Sequence, residues 1–81
     1  MITVFSKDGC PYCNKAMALL DAYAIEYVVE NVSQNQESLR FLKGAGHTTV
    51  PQIYNGLDLL VEGGFDGLSK LTYEEILEII E

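Results

Sequence analysis

Ile2 to Ser6 alternates and is rich in β-branched residues, the pattern of a short strand. Lys7-Asp8-Gly9 follows as a turn. From Pro11 onward the period changes. Cys13, Ala16, Met17 and Leu20 recur at helical spacing, with Leu19 and Tyr23 beside them, and predict a helix over 11–23. Pro11 suits its first position, where a missing N–H is no loss. Residues 25–32 read as a second strand, with Tyr27, Val28 and Val29 at its centre. Ser33-Gln34-Asn35-Gln36 offers side-chain oxygens to the orphan N–H groups of a helix start. The helix that follows, over 36–43, turns Leu39 and Leu42 inward with Phe41 flanking them, and Gly44 and Gly46 end it.

Thr48-Thr49-Val50 leads into Pro51 and a third strand, Gln52-Ile53-Tyr54. Proline has no N–H for a sheet ladder, so it belongs at the strand's start. Asn55-Gly56 signals a hairpin, Leu59-Leu60-Val61 is its return strand, and Gly63-Gly64 is a sharp turn. A short helix is expected over 65–71. Thr72 and Glu75 make a capping box for the last helix, and Leu71 with Ile76 its hydrophobic staple. Tyr73, Ile76, Leu77 and Ile80 form the inner face; Glu74, Glu75 and Glu78 face water. The order β-α-β-α-β-β-α-α predicts an α/β fold, a mixed four-stranded sheet with helices on both faces. Its first two strands should be parallel and its hairpin antiparallel.

Length and charge narrow the function. The 81 residues make one domain, 1–81, without internal repeats, and the 48% hydrophobic content suffices for a core. Twelve acidic residues against five basic ones leave a net charge of −7. The basic residues Lys7, Lys15, Arg40, Lys43 and Lys70 are scattered, which argues against a nucleic-acid ligand. The acidity serves solubility, or steers the protein toward a basic patch on a partner. No apolar stretch approaches the length of a membrane helix, and the N-terminus reads as a strand instead of a signal peptide.

The two cysteines stand in Cys10-Pro11-Tyr12-Cys13. A bridge across two residues closes almost no loop and stabilises little, so these thiols are expected to serve reactivity, in a reducing compartment, the cytosol. Cys10 falls at a helix start, where orphan N–H groups and the macrodipole favour an anion. Lys7 and Lys15 add positive charge nearby. Cys13 follows one turn later and points inward, protonated until it attacks a mixed disulfide on Cys10. Other readings of the pair are two core cysteines, half of a zinc site shared by a dimer, and an iron–sulfur cluster held between two chains. His47 is the lone histidine, so one chain lacks the ligands for a mononuclear zinc site. A Cys-x-x-Cys near a βαβ pattern favours redox chemistry.

Nearly the whole chain resembles the glutaredoxin family of small thioredoxin-fold proteins. The likeness rests on Lys7-Asp8-Gly9-Cys10-Pro11-Tyr12-Cys13, on Thr48-Thr49-Val50-Pro51-Gln52-Ile53-Tyr54 and on Gly63-Gly64-Phe65-Asp66, in that order. The Trp-Cys-Gly-Pro-Cys loop of ordinary thioredoxins is absent. The resemblance implies a glutathione-dependent oxidoreductase with Cys10 as exposed nucleophile and Cys13 as resolving thiol. It implies a cis bond before Pro51 and a glutathione site that takes in Thr49, Val50 and Pro51, with the Val50 backbone pairing with the cysteine of glutathione. Lys7 would attract the glycyl carboxylate and Tyr12 flank the ligand. The turn at Gly64 would present Phe65 and Asp66 to the γ-glutamyl end. Glutathione is then a co-substrate, with no tightly bound cofactor and no metal. The implied partners are disulfide-containing proteins, and the implied protein is a cytoplasmic monomer. An alternative of similar sequence is an electron donor to ribonucleotide reductase fed by thioredoxin reductase.

Some positions depart from the family pattern. His47 stands where an Arg or Lys often precedes the Thr-Thr-Val-Pro run, which would make its contribution to carboxylate binding pH-dependent. Gly67 replaces a residue that is often polar, Glu62 takes a place that is usually apolar, and the hairpin from Asn55 to Glu62 is longer than usual.

Overall fold

The computed structural model describes residues 1–81. Strand β1 (Ile2–Ser6) leads to helix α1 (Pro11–Ala22), strand β2 (Tyr27–Asn31) and helix α2 (Gln36–Gly44). The hairpin of β3 (Gln52–Asn55) and β4 (Asp58–Leu59) precedes helices α3 (Gly64–Ser69) and α4 (Tyr73–Ile80). The sheet order is β2-β1-β3-β4. β1 runs parallel to β2 from Ile2↔Tyr27 to Ser6↔Asn31, and antiparallel to β3 from Ile2↔Asn55 to Phe5↔Gln52. The hairpin is antiparallel. This is the mixed four-stranded α/β sheet expected from the element order, in the thioredoxin fold that the resemblance implied.

Alternation along the central strands separates two cores. Ile2, Val4 and Ile53 meet Ala16 and Leu20 of α1, Leu68 of α3 and Ile76 of α4 on one face. Phe5 and Tyr54 meet Leu42 of α2 on the other. Phe41 is 38% exposed and stacks on Phe5 with ring centroids 5.3 Å apart. Helices therefore cover both faces of the sheet.

Caps set several of the ends. Asn35 accepts from the N–H groups of Glu37 and Ser38 at 3.0 and 3.3 Å. Thr72 and Glu75 close the capping box from both sides. Elsewhere the limits differ from the pattern. The second strand starts at Tyr27, because Ala24 turns into the left-handed region at φ 55° and Ile25 drops into the core. The return strand is Asp58–Leu59, earlier and shorter than residues 59–61. Asn55 pairs with Asp58 across Gly56-Leu57, and Leu60 then turns into the main core. The third helix runs Gly64–Ser69 in place of 65–71. Gly44 lies inside α2, and Ala45 is its cap. Tyr73 does not join the inner face of α4; it is 40% exposed and leans on Tyr23, ring centroids 5.4 Å apart.

Candidate active site

β1 ends at Ser6, and the loop Lys7-Asp8-Gly9 delivers Cys10 to the start of α1. Gly9 takes φ +67°, a left-handed conformation that allows the turn at little steric cost. Cys10 is the N-cap of α1 in extended conformation, and its sulfur accepts the Cys13 N–H at 3.2 Å. The same donor that holds sulfur there would favour a thiolate. The two cysteines are joined as a disulfide, with Cα atoms 5.3 Å apart. Cys13 is fully buried and Cys10 keeps 6% of its surface, so Cys10 is the more accessible of the two but far from openly exposed.

The Val50-Pro51 bond is cis, as the resemblance implied. The β1–β3 ladder ends at Phe5↔Gln52, which leaves Val50 outside the sheet register. A cleft of about 330 Å³ opens here, lined by Tyr12, Thr49, Val50, Pro51, Gln52, Gly63, Gly64, Phe65 and Asp66. Every residue expected at the ligand site lines it except the cysteines and Lys7. Lys7 instead lines an adjoining cleft of about 200 Å³ with Lys43, His47 and Thr48. Thr49 and Val50 belong to both clefts and form the ridge between them.

Gly64 builds the far wall. Its φ is +58°, and a Cβ there would lie 2.7 Å from the Pro51 carbonyl oxygen, so only glycine lets α3 approach the proline loop. Asp66 lies in the first turn of α3 and lines the cleft; the N-cap is Gly63. Tyr12 is 55% exposed, its ring 6.2 Å from that of Phe65. Lys15 sets its Nζ 4.9 Å from the Tyr12 ring centroid, a cation–π contact.

Gln52, to which the sequence pattern assigns no role beyond the strand, also shapes the site. It is buried, and its Nε2 donates to the Thr49 carbonyl at 3.0 Å and the Thr49 hydroxyl at 3.3 Å, holding the ridge in place. The signal was a lone polar residue among the apolar positions of a central strand. His47 places Nε2 2.7 Å from the hydroxyl of Tyr54, so its ring is tied to the sheet. A side chain at Gly67 would overlap the Glu62 carbonyl oxygen, so the departure at Gly67 follows from how close the Glu62 backbone runs to α3. Away from the site, burial and the Asp21 carboxylate push the Tyr27 hydroxyl up from its ordinary value. No three His, Cys, Asp or Glu side chains converge as a metal site would need, and no helix is long and apolar enough to cross a membrane.

A Cys-x-x-Cys pair at the helix start of this fold defines a thiol–disulfide oxidoreductase of the thioredoxin class. A family model described as Glutaredoxin matches residues 2–59. Glutaredoxin 1 of Rickettsia prowazekii is 38% identical over 80 residues, spanning 95% of this chain and 82% of the relative. Glutaredoxin 3 of Escherichia coli is 34% identical over 74 residues, spanning 86% and 83%. The crystal structure of a buckwheat glutaredoxin–glutathione complex superposes with a TM-score of 0.77 at 25% identity, over 98% of this chain and 74% of that one. The chain belongs to the glutaredoxin family.

Proposed function

We propose that the protein is a glutathione-dependent dithiol–disulfide oxidoreductase, acting on protein disulfides and glutathione mixed disulfides through Cys10 and Cys13. The observation that carries this reading is the pair of clefts sharing the Thr49-Val50 ridge. A tripeptide laid along the ridge puts its cysteine beside the Val50 backbone, in β-fashion. Its glycyl carboxylate reaches toward Lys7 and its γ-glutamyl end toward Phe65 and Asp66. The buckwheat relative was solved in complex with glutathione.

Cys10 thiolate attacks one sulfur of a substrate disulfide, forming a mixed disulfide and releasing the first substrate thiolate. Cys13 loses its proton and attacks the Cys10 sulfur, releasing the second substrate thiolate and leaving the Cys10–Cys13 disulfide. One glutathione thiolate then attacks Cys10, freeing Cys13. A second attacks the bound glutathione sulfur, regenerating Cys10 thiolate and leaving as glutathione disulfide. The substrate gains two electrons and two glutathiones lose them. The proposed setting is the cytoplasm, where glutathione is kept reduced.

The test is turnover of a glutathione mixed disulfide and of a protein disulfide, each with glutathione or with thioredoxin reductase as electron source. Both should proceed with glutathione. Turnover with thioredoxin reductase alone would favour the donor to ribonucleotide reductase. In Cys13→Ser, turnover of the glutathione mixed disulfide should survive, because it needs one protein thiol. Protein-disulfide reduction should fall steeply, because the adjacent thiol's effective concentration is lost. Equal loss of both activities would count against the glutathione site.

A further inference from the structure

The loop before Cys10 is fastened to the turn between β2 and α2. Asn31, the last residue of β2, donates from Nδ2 to Asp8 Oδ1 at 2.8 Å, and Gln34 Nε2 donates to the same oxygen at 3.4 Å. The Asp8 N–H donates to Ser33 Oγ at 3.1 Å, and the Ser33 N–H to Asn31 Oδ1 at 2.9 Å. One register step back, the Val32 N–H donates to the Ser6 carbonyl at 2.8 Å. These bonds form a clasp with the Asp8 carboxylate at its centre.

Asp8 stands two residues before Cys10, so their Cα atoms are no more than about 7 Å apart, inside a physiological screening length of about 8 Å. A carboxylate free to turn toward the sulfur would oppose the thiolate. The two amide groups hold it on the side of the β2–α2 turn and offset part of its charge. The other charged and titratable groups around the loop are Lys7 beside it, Lys15 and Tyr12 on α1, Asp66 on α3, Lys43 and His47 lining the cleft of Lys7, and Glu30 on β2. Glu30 is engaged by the Ser38 hydroxyl at 2.9 Å.

We infer that Asn31 and Gln34 are positioning residues for the reactive sulfur: their amides hold the Asp8 carboxylate off Cys10 and so favour its thiolate. The inference rests on the reading of Cys10 as the attacking thiol. The test is alkylation of the reduced full chain by iodoacetamide across pH, with each thiol located by mass mapping. In Asn31→Ala the pH midpoint for Cys10 should rise, and its rate below that midpoint should fall about threefold. In an Asp8→Asn background the same Asn31→Ala change should leave the rate where Asp8→Asn alone puts it. An unmoved midpoint in Asn31→Ala, or an equal fall in the Asp8→Asn background, would overturn the clasp while leaving Cys10 as the nucleophile. Cys13 reacting first in the parent protein would overturn the nucleophile assignment and the clasp with it. Should Asn31→Ala fail to fold, Gln34→Ala, which removes the second donor to the Asp8 carboxylate, is read by the same two comparisons.

Discussion

Gly64 meets two demands at once, a left-handed backbone and contact with the Pro51 carbonyl. Alanine there must move α3 or the proline loop, at a cost on the order of 1–3 kcal/mol. Gly64→Ala should therefore lower the melting temperature by about 5 °C or more and weaken glutathione turnover, measured by thermal unfolding and steady-state assay. An unchanged melting temperature would show that the two backbones yield freely. The need for glycine was legible in the sequence as a Gly63-Gly64 turn; its neighbour across space was not. Gln52 shows the same limit from the other side. Its polarity was visible, but that its amide grips Thr49 depends on a three-residue return through the cis bond. Local pattern carries no such information.

Elements were read best where their ends are made by their own residues. The box of Thr72 and Glu75 and the cap at Asn35 need only neighbours in sequence, and both formed as expected. Thr72→Ala should cost about 1 kcal/mol, a fall of roughly 4–8 °C in melting temperature, with glutathione turnover at 25 °C unchanged. No fall would mean that packing of Ile76 alone holds α4. Elements were read less well where a distant partner decides. β4 pairs only Asp58 and Leu59 with β3, while Leu60 keeps its N–H on the Ile53 carbonyl at 2.9 Å and its side chain joins the main core. Tyr73 has helical spacing with the inner residues, yet Tyr23 holds its ring at the rim. Helix periodicity names a face; the depth of each position along it depends on what lies opposite.

For the whole molecule, the order of elements was enough to give the mixed sheet and its two covered faces, because handedness and short connections leave few arrangements. The number of chains in the working protein is a separate matter, and we propose a monomer. Sedimentation of the reduced protein should return the mass of one chain, 9.0 kDa, with or without added iron and glutathione. A species of twice that mass that absorbs in the visible would point to a metal-bridged dimer. β1 is paired on both sides and stands between the two cores, and the loop bearing Cys10 hangs from its last residue. Amides of such a strand exchange with solvent mainly when the whole domain opens. The reacting sulfur is thus suspended from the segment that gives way last, while the bonds it makes and breaks lie outside the sheet.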